Sequence, residues 1–168
     1  MLSTEELAYL AGIVDGEGSI SLIRTRQHHR PAEHRNSRSN GNPHPGISER
    51  LVLIVAVGMT EGVIPDWLYT EFGGQLHYRV NKNPRWKDRW DWTACSQIGS
   101  SFLKAILPYL VVKKHQAELA IEFQNARVTG HPLDDVRRLL DESIYEDMRE
   151  LNSRGKALCN PERAAITI

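Results

Sequence analysis

The stretch that most constrains this chain is Leu10-Ala11-Gly12-Ile13-Val14-Asp15-Gly16-Glu17-Gly18. Just upstream, Ser3-Thr4-Glu5-Glu6 fits a capping box, so a helix is expected from Thr4 with Ser3 as its N-cap and Glu6 reaching back. Leu7, Leu10 and Val14 recur at helical spacing and predict a core face, while Ala8, Ala11 and Gly12 form a small-residue face that lets another helix come close. Gly16 and Gly18 end the helix and free the backbone for a sharp exit. Asp15 and Glu17 therefore fall at the negative end of the helix dipole, among unpaired carbonyls that repel carboxylates. Two readings follow. In the first, a bound cation offsets the repulsion, and oxygen ligands without a nearby His or Cys favour Mg²⁺ over zinc. In the second, Asp15 caps local backbone and Glu17 is solvated; local chemistry alone favours this one.

After Ser19 the hydrophobic period changes from helical to two. Ile20 and Leu22 fall on one side and Ser21, Ile23 and Thr25 on the other, which predicts a strand. Residues 27–47 are too polar and too rich in Pro, Gly and Asn for a core element and read as a long hairpin tip; Leu51, Leu53, Val55 and Val57 then supply the inward face of the returning strand. Thr60 is expected to cap a short helix carrying Ile64, Leu68 and Phe72, which Gly73-Gly74 stops. In a second hairpin Leu76, Tyr78 and Val80 alternate against Gln75, His77, Arg79 and Asn81, and Trp90, Trp92 and Ala94 return after a polar turn at 81–88.

Three helices complete the chain. Ser100 or Ser101 is expected to cap the first, which carries Phe102, Leu103 and Ile106; the second spans Lys113 to Arg127. The third follows Pro132 with a buried stripe of Val136, Leu139, Leu140, Ile144 and Met148, and residues 152–168 form a polar tail. The order implies one α+β domain over residues 1–168: an αββαββα core whose four-stranded antiparallel sheet carries helices on one face, plus extra C-terminal helices. The other sheet face stays open.

A formal net charge of zero conceals an uneven distribution, because residues 19–50 and 75–95 together carry 11 Lys/Arg against 4 Asp/Glu, whereas residues 114–151 lean acidic. Arg24, Arg26, Arg30, Arg38 and Arg50 on the first hairpin, with Arg79, Lys82, Arg85 and Arg89 on the second, make a surface suited to phosphates. A two-stranded ribbon is also narrow enough to enter the DNA major groove, where Arg, Gln, Asn and Ser read base edges. Cys95 and Cys159 match no metal-ligand spacing and read as reduced thiols, and no apolar run approaches the roughly 18 residues of a membrane span. The expectation is an intracellular protein, in an organelle or a prokaryotic cytoplasm, with no membrane partner.

LAGIVDGEG, residues 10–18, resembles the signature of the LAGLIDADG homing endonucleases. The likeness extends over roughly residues 5–155 through the order of elements, Met59-Thr60-Glu61 leading to Phe72-Gly73-Gly74, Leu107-Pro108-Tyr109-Leu110 leading to Lys113, and Leu151-Asn152. It implies a saddle of antiparallel strands lying on double-stranded DNA. With one motif per chain it also implies a homodimer, whose motif helices pack through Leu7, Ala8, Leu10, Ala11 and Gly12 on a long, roughly palindromic site.

In this family the last acid of the motif binds a divalent metal, which maps onto Glu17, with the Gly16 carbonyl as a further ligand; Mg²⁺ is implied, with Mn²⁺ or Ca²⁺ able to occupy the same site. The family more often has Asp where Glu17 stands. Lys113 matches its basic active-site residue, on which spacing alone says little, and Asp15 would support the site. Met59 departs from the pattern: it stands where relatives carry Gln or Asn to hold solvent, a task a thioether performs poorly and Thr60 or Glu61 would have to take over. Family parity assigns base readout to Ser21, Ile23, Thr25, Gln27, Arg50, His77, Arg79, Asp91 and Thr93, and sets Arg24 and Arg26 on the opposite face unless the strand twists. The implied activity is Mg²⁺-dependent site-specific double-strand cleavage leaving 3′ overhangs. The alternatives are a splicing maturase of the same fold, with intron RNA as partner, and a DNA-binding regulator that does not cut.

Overall fold

The computed structural model describes residues 2–28, 47–127 and 135–153. Helix α1 spans Thr4–Glu17, and its capping box forms as expected: the Ser3 hydroxyl accepts from the Glu6 N–H at 3.2 Å and the Glu6 carboxylate accepts from the Ser3 N–H at 2.7 Å. The following strand β1 is Gly18–His28, and Gly18 is required there by space, since a Cβ would lie 2.8 Å from the Val14 backbone. Its φ of −81° is ordinary, so the sharp exit rests on close approach and not on left-handed backbone.

Strand β2 (Ile47–Met59) pairs antiparallel with β1 in a register running from Gly18 opposite Val57 to His28 opposite Ile47. Helix α2 (Val63–Phe72) and strands β3 (Gln75–Arg79) and β4 (Arg89–Cys95) follow, and the sheet order is β1-β2-β4-β3 with every neighbour antiparallel. After these come α3 (Ser96–Ile106), a 3₁₀ turn at Leu107–Tyr109, α4 (Lys114–Asn125) and α5 (Asp135–Leu151). This is the expected α+β order.

Alternation decides which face is which. Ile20 and Leu22 of β1, Leu51, Leu53, Val55 and Val57 of β2, and Trp92 and Ala94 of β4 all point to one side and are buried there. They meet Leu10, Ala11 and Val14 of α1, Phe102, Leu103 and Ile106 of α3, and Ala117, Ala120 and Phe123 of α4. Burial of these apolar side chains holds the helices against that face, each fully buried large one contributing about 1.5–3 kcal/mol. Trp92 ties the far edge in: its ring meets Phe102 edge-on at 5.0 Å, and its indole N–H donates to the Gly73 carbonyl at 2.8 Å. Gly73 and Gly74 turn the chain there with φ of 74° and 96°, which only glycine adopts without strain.

Three local expectations are corrected. Helix α2 begins at Val63 with Gly62, not Thr60, at its N-cap; a Cβ on Gly62 would sit 2.9 Å from the Trp90 ring. Helix α3 starts directly after β4 through Ser96 at φ 50°, so Ser100 lies buried inside it and neither Ser100 nor Ser101 is a cap. On α5 only Ile144 and Met148 of the expected stripe are buried, and Val136, Leu139 and Leu140 are exposed. The third buried position is Asp141, which pairs with Arg127 at 2.9 Å and Arg137 at 3.0 Å, so the helix turns a buried ion cluster toward α4. Arg30, Arg38 and the tail beyond Ser153 lie outside the described residues, as does the side chain of Gln27.

Candidate functional site

The C-terminal end of α1 is built from two distant parts of the chain. Both Asp15 carboxylate oxygens accept backbone N–H groups from the segment leading into α4: Oδ2 from Val111 at 2.8 Å and Val112 at 3.1 Å, and Oδ1 from Lys113 at 2.8 Å. In return the Lys113 ammonium donates to the Val14 carbonyl at 3.0 Å and to the Asp15 carbonyl. An acid at one helix end thus ties down the backbone that leads into another helix, and the lysine at that helix's N-cap covers carbonyls of the first. Partial burial pushes the Asp15 carboxyl upward, but the three backbone donors and the Lys113 charge outweigh it and hold the group below the usual carboxylate range.

This arrangement separates the two acids of the motif. Asp15 is occupied by backbone, not the local backbone of the second reading but donors 96–98 residues away. Glu17 is the last residue of α1, exposed, and pairs with no side chain among the described residues. Its carboxylate and the exposed Gly16 backbone beside it are hard oxygen donors suited to Mg²⁺, Mn²⁺ or Ca²⁺ and unsuited to zinc. Among the described residues no three His, Cys, Asp or Glu side chains come together, so one chain does not by itself build a full carboxylate cage at this end. Met59 stands at the same end of the sheet, two residues past Val57, which pairs with Gly18; it is half-buried against the core, and Glu61 is exposed in the bend that follows.

Opposite the helices, the sheet presents its other parity. Ser21, Ile23 and Thr25 of β1, Thr93 of β4, and His77 and Arg79 of β3 lie on this open face, as expected. Arg50 of β2 shares their parity, but it sits where β4 no longer covers β2 and lines a cavity with Arg127, Asp141 and Glu142 of the helix layer, close enough to Arg127 for the two charges to repel. Arg24 and Arg26 do not lie on the open face. Arg24 turns to the helix side, where it pairs with Glu142 of α5 and lies 4.9 Å over the Tyr145 ring, while Arg26 pairs with Glu49 across the strands at 3.1 Å. Alternation carries both away from the open face, and the acids met there hold them.

Asp91 also plays a different part from a base reader. It is buried on the open face between two arginines, 2.6 Å from Arg79 Nε and 2.7 Å from Arg89 Nη2, so it aligns two exposed guanidinium groups. Gly58 makes the room, since a Cβ there would lie 2.8 Å from Asp91 Oδ1. Replacing Gly58 with Ala is expected to push the Asp91 carboxylate off both arginines and cost about 1–3 kcal/mol by overpacking. A fall in the urea midpoint of Gly58→Ala, absent when Asp91→Ala is combined with it, checks this.

The small face of α1 is narrower than expected. Leu10 and Ala11 are 1% and 0% exposed in the chain's own core and cannot form an outer contact face, and Leu7 packs partly against that core. Of its small and apolar residues α1 leaves Ala8, Tyr9, Gly12 and Gly16 exposed, with Tyr9 stacked on Trp67 of α2 at 6.3 Å. Sequence reading missed Tyr9, Gly58 and the Asp15 partners; only an unusual Asp before Gly-Glu hinted at the last.

No family model matches the sequence, and no curated protein sequence matches it. Solved structures do. The homing endonuclease I-CvuI, solved with its target and calcium, matches at a TM-score of 0.64 over 95% of this chain and 89% of its own, at 17% identity. The archaeal intron-encoded homing endonuclease I-Vdi141I, complexed with DNA, gives 0.64 over 95% and 91% at 15% identity. I-LtrWI, a LAGLIDADG homing endonuclease bound to target DNA, gives 0.56 over 88% of this chain and 45% of its own at 14% identity. This chain has the LAGLIDADG homing-endonuclease fold. At such low identity the likeness carries the architecture, and within that LAGLIDADG fold the roles of Glu17, Lys113 and the open face rest on this chain's own geometry.

Proposed function

We propose that the chain is a divalent-metal-dependent, site-specific double-strand DNA endonuclease that acts as a homodimer. The observation that carries this is the end of α1, where an exposed Glu17 carboxylate ends the helix whose Val14 and Asp15 carbonyls hold the Lys113 ammonium. Glu17 and the Gly16 carbonyl hold the metal, which supplies Lewis-acid polarisation of water and of the leaving oxygen. Lys113 keeps a positive charge near the scissile phosphate, where it stabilises charge that develops during transfer. Asp15 positions Lys113 through the backbone of residues 111–113.

The lack of a three-ligand cluster among the described residues favours a site completed by a second copy, with exposed Ala8, Tyr9 and Gly12 of α1 as the contact between protomers. Two-fold symmetry then gives two active sites on a roughly palindromic duplex, cutting across the minor groove to leave 3′ overhangs. The open face reads the DNA, with Ser21, Ile23, Thr25, His77 and Thr93 toward base edges and Arg79 and Arg89 held in place by Asp91. Met59 favours a second reading, a binding protein of the same fold that does not cut: a regulator, or a maturase on intron RNA. Selection of cleaved sites from a randomised duplex library with Mg²⁺ tests the proposal. Cleavage by the wild type but not by Glu17→Gln is expected; tight binding of one duplex without cleavage would favour the regulator, and preference for a structured intron RNA the maturase. A strict monomer on DNA by sizing would overturn the paired-site mechanism.

A further inference from the structure

The outer end of the β3–β4 ribbon carries a surface that neither the α1 site nor the base-reading rows use. The turn itself, residues 80–88, holds three cations, Lys82, Arg85 and Lys87, and one acid, Asp88. That acid is engaged internally: Oδ1 accepts from the Asn81 N–H at 2.7 Å and Oδ2 accepts from the Tyr78 hydroxyl. The turn continues in the same manner, with Asn81 Oδ1 accepting from the Asn83 N–H at 3.1 Å and Asn83 Oδ1 from the Arg85 N–H at 3.0 Å. The Asn83 carbonyl then accepts from the Trp86 N–H at 3.0 Å. The loop's own side chains therefore set its shape without tertiary support.

This self-built turn projects Trp86, 67% exposed, between exposed Arg85 and Lys87. The other three tryptophans are engaged: Trp92 in the core, Trp90 against Tyr78 at 4.7 Å and Trp67 against Tyr9. An indole left in water forgoes a large apolar burial, and with Tyr78 and Val80 also exposed on this hairpin Trp86 is not a lone apolar side chain at the surface. Excess positive charge around it disfavours a second copy of the same loop. A polyanion with apolar faces satisfies both features, and in an intact duplex the base faces are closed by stacking, which leaves the deoxyribose as the apolar surface beside the phosphates.

We propose that this loop is a sequence-independent clamp on the DNA sugar–phosphate backbone, with Trp86 packed on deoxyribose and Lys82, Arg85 and Lys87 on phosphates. The clamp rests on the DNA reading above and adds a contact outside the base-reading rows. Wild type, Trp86→Ala, Trp86→Phe and Lys87→Gln would be compared for binding to the selected target and to a scrambled duplex over a salt series without divalent metal. Emission from Trp86 is isolated by subtracting the Trp86→Phe signal. Trp86→Ala is expected to weaken both duplexes about tenfold at an unchanged ratio, in the range seen for aromatic contacts to nucleic acid. Trp86→Phe should keep most of the affinity, Lys87→Gln should lower the salt slope by about 1, and Trp86 emission should shift to the blue on binding. An unchanged urea midpoint for Trp86→Ala separates these losses from misfolding. The clamp is overturned if wild type binds DNA and Trp86→Ala binds equally well, or if Trp86→Ala weakens only the target. Strong quenching in place of the blue shift would mean base stacking and overturn the sugar contact. A wild type that binds neither duplex overturns the DNA reading and the clamp together.

Discussion

Asp15→Ala is expected to lower stability by about 2–3 kcal/mol and cleavage by on the order of 100-fold, although Asp15 touches no DNA in the proposed mechanism. The stability loss comes from three backbone donors that lose one acceptor group. Val111 and Val112 are exposed and can turn their N–H groups to water, so the half-buried Lys113 N–H carries most of the cost. The activity loss comes from Lys113, whose ammonium sits on the Val14 and Asp15 carbonyls only while the start of α4 stays docked. Asp15→Asn keeps one accepting oxygen and should fall in between. Urea midpoints and single-turnover cleavage rates measure both effects, and wild-type values for Asp15→Ala would remove its link to Lys113 from the mechanism.

The same carboxyl sets a pH dependence. Its folded pKa lies below the ordinary value of about 3.9, so its contribution is complete above that value and is lost as pH falls through the folded one. Acid unfolding of Asp15→Asn should therefore be less steep than that of the wild type below about pH 4. Parallel acid-unfolding curves for the two proteins would contradict the assignment.

Glu17→Gln should separate activity from stability in the opposite sense. Removing the free carboxylate at the α1 end is expected to lower cleavage on the order of 1,000-fold. It should also raise metal-free stability by about 0.3–1 kcal/mol, since a carboxylate at the negative end of a helix dipole is unfavourable. Affinity for the target without divalent metal should hold or rise slightly. A Glu17→Gln protein that cuts at the wild-type rate would place the metal elsewhere; one that is destabilised would make Glu17 a structural residue.

Much of the fold was legible because its signals are local. The capping box at Ser3, the change of period at Ser19 and the alternation through Leu51–Val57 each act within a few residues, and each formed as expected. Thr60 and Ser100 were misread for a related reason. A hydroxyl before an apolar run is a sound local cap signal, but the Trp90 ring pressed against Gly62 and the direct β4–α3 junction moved both helix starts. On α5, periodicity alone could not tell that Asp141 would be buried by two arginines while Val136 and Leu139 stayed outside.

The candidate site divides along the same line. The chain by itself determined the α1 helix, its acids, the parity of the strands and hence the basic open face, because backbone hydrogen bonding and side-chain periodicity act between near neighbours. Only the tertiary structure decided what each acid does. Asp15 and Glu17 look equivalent in sequence, and a segment 96–98 residues downstream takes one and leaves the other free. It likewise decided that Arg24 serves the helix layer, that Asp91 aligns Arg79 and Arg89, and that Leu10 and Ala11 belong to the core. Partners of a charged or buried group are set by which distant residues packing brings within about 3 Å, and sequence spacing carries no record of that.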